Sequence, residues 1–364
     1  MPIIIGTNAY TFSNVDTLTG SGNGDAVTLT GALSSASIDL AAGNDTLALA
    51  NATNSATVAN VETITGGSGA DTLTLGSALS NSTTVDLAGG NDTLTLAAGG
   101  NTGSVTNVET LVGGSGADTL TIIAALSSAS LDGAAGNDTV TLANATNSAT
   151  ITNIETITGN AGADTVTLSG TVTSGSVDLA AGSDTLNLGA GPVTVTTANV
   201  ETMNGGAGAD TVTLSAGVTN TSVDLGGGSD SLTLAAAGST FTASNVETIT
   251  GGAGVETVTL GAALSGATID FAGGNDVLTL ADATNSATMS NVETITGGTG
   301  ADTITLGSAL SNSTTVDLAG GNDTLTLAAG GNTGSVTNVE TLVGGSGADT
   351  LTIIAALSSA SLDG

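Results

Sequence analysis

Residues 61–83 read VETITGGSGADTLTLGSALSNST, and residues 84–107 read TVDLAGGNDTLTLAAGGNTGSVTN. In Thr72-Leu73-Thr74-Leu75 the leucines point to one side and the threonines to the other, the period of two that marks a strand. Val85 and Leu87 face inward in the same way, with Asp86 facing out. Around Val61 and Ile64 the alternation breaks, which predicts a bend or bulge. Glycine and Asp between the runs mark tight turns. Each segment reads as strand, Gly-rich turn, strand, and a looser Ser/Ala/Gly return.

The pair recurs with a period of 46 or 47 residues along the 364-residue chain. No segment carries a 3.6-residue apolar period, and Gly and β-branched residues are too frequent for stable helices. Short strands at constant spacing imply a solenoid. The expected class is all-β: a right-handed parallel β-solenoid of the β-helix or β-roll kind. It should have about 23 residues per coil and two coils per repeat. At a strand spacing of about 4.8 Å, roughly 16 coils would make a rod about 75 Å long. Residues 1–13 are expected to be an N-terminal strand segment able to contact another subunit. Residues 14–364 are expected to be one continuous array that stops in mid-repeat. Residues 76–133 recur identically as 307–364, a shift of 231 residues.

The chain has 32 acidic residues and no Lys, Arg or His. All but Asp282 fall on four positions of the repeat. The first is Asp16, Glu62, Glu109, Glu155, Glu201, Glu247, Glu293 and Glu340. The second is Asp25, Asp71, Asp118, Asp164, Asp210, Glu256, Asp302 and Asp349. The third is Asp39, Asp86, Asp132, Asp178, Asp224, Asp270, Asp317 and Asp363. The fourth is Asp45, Asp92, Asp138, Asp184, Asp230, Asp276 and Asp323. Stacked repeats would turn these positions into columns of like charge. The counter-charge expected is a hard cation with oxygen ligands, that is, several structural calcium ions. Asp residues of the second and fourth positions, and those of the third from Asp39 to Asp317, are the candidate ligands. Neutralising every charge would take about 16 divalent ions. A second reading of Asp in such turns is local hydrogen bonding to the backbone. The first-position acids, Glu62 and its equivalents, are either second ligands or a solvated face. An Asn column (Asn14, Asn60, Asn107, Asn153, Asn199, Asn245, Asn291, Asn338) is expected to hydrogen-bond a turn.

Gly66 to Thr74 reads G-G-x-G-x-D-x-U-x, and Gly113 to Thr121, Gly205 to Thr213, Gly297 to Thr305 and Gly344 to Thr352 match the same template. This resembles the RTX family of calcium-binding nonapeptide repeats. The resemblance implies stacked turns that hold calcium between Asp carboxylates and Gly carbonyls. The style is similar to RTX-type bacterial surface-layer proteins and large adhesins. One nonapeptide per coil departs from the family's tandem spacing. Glu256 stands where the template has Asp, so that site should be altered.

Composition excludes several classes. Without Cys there is no disulfide or zinc-thiolate site. A net charge of −32 excludes direct nucleic-acid binding. No apolar run is long enough to insert in a membrane. The start, MPIIIGTNAY, lacks the basic region of a cleaved signal peptide, so export would use another route. Catalysis lacks a His or Lys base, and the acidic pairs recur without a unique cleft. The expected function is that of an extracellular structural protein, self-associating end to end into a surface layer or fibre. Strand addition through Pro2 to Gly6 is one route to such contacts. The alternative is a stalk or ligand-binding region of a large adhesin, with ice or a cell-surface glycan as ligand. Thr-x-Thr triplets such as Thr93-Leu94-Thr95 support either an outward strand face or such a ligand surface.

Overall fold

The computed structural model describes residues 3–6, 9–354 and 361–363. Pro2 and Gly364 lie outside them. The chain forms two compact units, Met1–Thr185 and Leu186–Gly364. Among the described residues every regular element is a strand. In the first unit successive strands alternate between two parallel sheets. Ile3–Ile4, Thr17–Thr19, Ala36–Asp39, Ser55–Ala59 and Thr72–Leu75 follow one another in one sheet. Ala9–Phe12, Ala26–Leu29, Thr46–Ala48, Thr63–Thr65 and Thr84–Asp86 follow one another in the other. The second unit repeats this arrangement, for example in Thr248–Thr250, Ser265–Asp270, Ser286–Ser290 and Thr303–Leu306. Each unit is therefore a parallel β-solenoid with two strands per coil.

The coil is shorter than expected. Leu73 pairs with Leu94, Leu94 with Leu111, and Leu111 with Leu131, steps of 21, 17 and 20 residues. The same steps recur in the second unit, as in Ile304 with Leu325, Ser286 with Thr303 and Ile269 with Met289. The expectation of about 23 residues and two coils per repeat is thus corrected: a repeat contains five strands. In the second repeat these are Thr63–Thr65, Thr72–Leu75, Thr84–Asp86, Thr93–Thr95 and Thr102–Thr106. The fifth lies in the stretch read as a loose return. Its inward residues are small, so its alternation is faint in sequence. Ala56 and Val58 in the equivalent strand Ser55–Ala59 are nevertheless 5% and 1% exposed.

An odd number of strands has a topological consequence. Equivalent residues of consecutive repeats fall on opposite sheets: Thr63–Thr65 pairs with Thr84–Asp86, whereas Thr110–Val112 pairs with Thr93–Thr95 in the other sheet. The expected break near Val61 is a sharp corner, Asn60 to Glu62, between two strands on opposite sheets.

The interior is built from aliphatic stacks. Leu73, Leu94, Leu111 and Leu131, paired in register, are almost fully buried, and Phe241 and Phe271 are the aromatic members of the core. Burial of such a side chain contributes about 1.5–3 kcal/mol. Outward positions carry Thr and Ser in register, as in Thr72, Thr93 and Thr110.

Leu94→Ala should lower stability by about 2–5 kcal/mol through cavity formation. Thr74→Ala, on the exposed side, should change it by less than about 0.5 kcal/mol. Denaturant unfolding of both variants at saturating calcium checks the inward–outward assignment.

Candidate metal centre

The turns between the two sheets form two edges, and the acidic residues collect there in short ladders. Within one ladder each carboxylate accepts the main-chain N–H of the ladder residue one coil before it. The Asn54 N–H donates to Asp71 Oδ1 (3.0 Å), the Asp71 N–H to Asp92 Oδ1 (2.6 Å), and the Asp92 N–H to Glu109 Oε2 (2.7 Å). On the opposite edge Asn101, Asp118, Asp138 and Glu155 repeat the pattern at 2.7 Å for each step. In the second unit the series Asn285, Asp302, Asp323, Glu340 does the same. A ladder thus joins the second, fourth and next first acidic positions of the repeat. The columns expected from one position in successive repeats do not form, because consecutive repeats change edge.

Main-chain carbonyls run the other way along the ladder. The Thr93 N–H donates to Asp71 O (2.8 Å), and the Thr110 N–H to Asp92 O (2.9 Å). Each ladder residue is therefore held at both ends of its peptide unit by the solenoid. Its side chain has no freedom to turn towards water. The second- and fourth-position acids in the ladders are at most 2% exposed, apart from Asp349, which is exposed.

One oxygen of most of these carboxylates has no partner. Oδ2 of Asp45, Asp92, Asp138, Asp164, Asp210, Asp230, Asp276, Asp302 and Asp323 is buried without a hydrogen bond, and so are both oxygens of Glu256. Burial raises the carboxyl pKa of Asp92, Asp138 and Asp230 above the usual value. The N–H that each accepts works against this, and the like charges of its ladder neighbours add to it. Glu256 is pushed up to about 7, first by burial and then by the negative charge of Asp276.

These orphaned oxygens fit a hard divalent cation. Carboxylate and carbonyl oxygens are the donors that calcium selects. Among the described residues no three carboxylates converge on a point, so carbonyls must complete the donor set. The turns bring them close. A Cβ on Gly90 would lie 2.5 Å from Gly69 O and 2.7 Å from Asp92 Oδ1, and a Cβ on Gly113 would meet Gly133 O and, at 2.8 Å, Asp118 Oδ2. Only glycine leaves these oxygens their shared space. Asp71, Asp92 and Gly69, with their equivalents, are the residues that would hold calcium. The ion would supply the positive charge that the chain lacks.

The third-position aspartates lie elsewhere. Asp39 Oδ1 accepts the Ala41 N–H (3.0 Å), and Ala41 has a φ of 71°. It also accepts from the Asn60 side-chain amide (2.7 Å). Asp86, Asp132, Asp224, Asp270 and Asp317 accept the same side-chain amide from Asn107, Asn153, Asn245, Asn291 and Asn338. These aspartates and the expected Asn column stabilise left-handed turn residues. Asp178, at the equivalent place, accepts the Ala180 N–H. Asp282 replaces a turn Asn (compare Asn144) and accepts from Thr299 across one coil.

Sequence reasoning missed a second set of asparagines. Asn54 is fully buried and saturated: its amide donates to Ala50 O, Ala52 O and Asp71 Oδ1, and its Oδ1 accepts the Leu33 N–H. Asn101, Asn147, Asn285 and Asn332 occupy the same place at the head of a ladder. The signal was a constant spacing of 17 residues before the nonapeptide Asp, hidden among many turn asparagines. Val193 and Ser239 stand there in two ladders. The hydrogen bond from the Asn332 amide holds the exposed Asp349 below the usual range, and burial raises Asp210, which stands behind Val193.

The match to a family model agrees with this chemistry. The model of the RTX calcium-binding nonapeptide repeat (4 copies) matches residues 59–77, 106–121, 152–170, 195–218, 290–309 and 337–352. The segment around Glu256 is not among them. The chain carries RTX-type calcium-binding repeats, and calcium is their structural cation. No curated protein matches. Among solved structures, the chain is similar to the X-ray structure of a hyperactive, Ca2+-dependent, β-helical antifreeze protein from an Antarctic bacterium. That match has 20% identity and a TM-score of 0.20, and covers 88% of this chain and 84% of the other.

In chelator, acid should take the place of calcium. A carboxyl whose folded pKa is raised binds its proton more tightly when folded, so its contribution is complete below the unfolded pKa. That contribution is lost as pH rises through the folded pKa. For Glu256 the window runs from 4.5 to about 7. Calcium-free chain should therefore melt at higher temperature at pH 5 than at pH 7.5, as read by circular dichroism, and calcium should abolish the difference. Asn101→Ala should cost about 1–3 kcal/mol for each buried partner left unsatisfied. Asn81→Ala, in an exposed loop, is the control for the same denaturant titration.

Proposed function

We propose that this RTX-type calcium-binding β-solenoid is an extracellular structural protein, folded by calcium and assembled from like copies into a surface layer or fibre. One observation carries the reading: a chain without a single basic residue buries a carboxylate at nearly every ladder step. Such a chain repels itself where calcium is scarce and folds where calcium is plentiful, outside the cell. The ladders recur in both units, and among the described residues none is set apart by its own cleft, which supports a structural rather than a catalytic role.

Assembly is supported by the surface. Outward strand positions are mostly Thr and Ser, with the third-position aspartates only at strand ends, so the faces offer largely uncharged area for lateral contact. The first described strand, Ile3–Ile4, pairs with Thr17–Thr19, and Ile4 is 78% exposed. The same Thr columns favour the alternative, a ligand-binding region of an adhesin. Hydroxyl and methyl groups repeated in register along a sheet suit an ordered surface such as ice.

Titrating calcium from chelator to millimolar levels, with magnesium as control, should give a calcium-specific gain of β-signal together with filaments or sheets in electron micrographs. Folding without assemblies, joined by inhibition of ice recrystallisation, would transfer the assignment to the adhesin reading. A fold indifferent to chelation would overturn both.

A further inference from the structure

The head of a ladder lies outside the nonapeptide, 17 residues before its Asp, and it fixes the carboxylate behind it. In the ladders headed by Asn54, Asn101, Asn147, Asn285 and Asn332, Oδ1 of the nonapeptide Asp accepts two donors from one residue. The Asn N–H donates at 2.7–3.0 Å. The Asn side-chain amide donates at 2.7–2.9 Å. That amide is itself held by two carbonyls of its own turn, as Asn101 is by Ala97 O (3.0 Å) and Gly99 O (2.8 Å). Its oxygen accepts a leucine N–H from the preceding coil, Leu79 for Asn101. Two fixed donors on one oxygen stop rotation about the Asp Cβ–Cγ bond. Oδ1 is thus committed to the scaffold, and Oδ2 is left in the Gly-rich turn. There it has no hydrogen bond at Asp164 and Asp302, and accepts the Gly114 N–H at Asp118.

Two heads break the pattern. Val193 is fully buried and gives Asp210 Oδ1 its N–H (2.9 Å), but it has no amide. Ser239, also buried, accepts the Val218 N–H through its hydroxyl (3.3 Å), as the Asn oxygen accepts a leucine N–H elsewhere. Neither oxygen of Glu256 behind it has a hydrogen bond. These two heads follow one another in the chain, and both lie in the second unit. Their ladders occupy the stretch from Val193 to Glu293.

A carboxylate that must be ordered when the ion arrives gives up part of the binding energy to that ordering. Losing a hydrogen bond that orients a metal ligand typically weakens binding about 10–100-fold. We propose that the head Asn is the positioning residue that sets the calcium affinity of its ladder. The chain then loads in two steps: the Asn-headed ladders first, and those of Val193 and Ser239 at about 10–100-fold higher free calcium. Glu256 adds to the difference, because its extra methylene displaces the carboxylate relative to the turn carbonyls. The inference rests on the reading that the ladders bind calcium. It gives the calcium response a second threshold. Between the two, residues 193–293 are the part of the solenoid whose buried carboxylates stay uncompensated, and the part that opens first as calcium falls.

The test reads bound against free calcium by equilibrium dialysis. The full chain is compared with a variant carrying Val193→Asn, Ser239→Asn and Glu256→Asp. The full chain should fill in two phases about 10–100-fold apart, and the variant in one phase at the lower concentration. An asparagine that merely props its turn would raise the melting temperature of the variant in chelator and leave the isotherm in place. That result, or a single phase in the full chain, overturns the proposal. A full chain that binds no calcium overturns the underlying reading instead. If the triple variant does not fold, Val193→Asn alone should move one ladder's ions from the second phase to the first, and an isotherm that stays put overturns the proposal equally.

Discussion

The structure depends on one arrangement: a buried carboxylate that accepts the main-chain N–H of the coil before it. The donor is fixed by the strand that follows it, so the ladder aspartates, Asp349 apart, are drawn inward whether or not their charge is compensated. One N–H cannot neutralise a carboxylate. The second oxygen stays bare, as at Asp92 and Asp138, and burial pushes these groups towards protonation. A chain with basic residues could answer with an ion pair. This one has none, so the compensation must come from solution, and the fold is tied to the ionic composition around it.

Five strands per repeat make this tolerable. With four, every repeat would place its acids on the same edge, and each carboxylate would have charged neighbours without interruption along the stack. With five, successive ladders change edge and are separated by the length of the strands, about 3.3 Å per residue. Each edge then alternates a ladder with an uncharged stretch such as Gly76 to Thr83. Repulsion is confined to groups small enough for a few ions to neutralise.

The four acidic positions divide the work. The third holds left-handed turn residues in place through hydrogen bonds to Ala41 and its equivalents. The second and fourth form the buried steps, and the first closes the ladder from a corner of the next coil. The asparagine head starts it, joining three consecutive coils through one side chain, as Asn54 does with Leu33 and Asp71. Where the head is Val193 or Ser239, the step behind it has lost its amide partner, and at Glu256 the change extends to the carboxylate itself.

The sequence by itself determined the class of fold and the chemistry. Leu73 and Leu75 against Thr72 and Thr74 fix a strand and its buried side, because side chains alternate with period two whatever the surroundings. The glycines before Asp71 mark a turn for the same local reason, and the lack of any basic residue calls for a cation. What the tertiary structure decided was the number of strands per coil and hence the company each acid keeps. The strand Thr102–Thr106 has too little apolar contrast to be read, and missing it shifts every later coil to the wrong sheet. Nor could the chain alone show that Asp71, Asp92 and Glu109 share a ladder while Asp86 stands aside. That grouping arises from hydrogen bonds between residues 17 to 21 positions apart, which exist only once the coils are stacked.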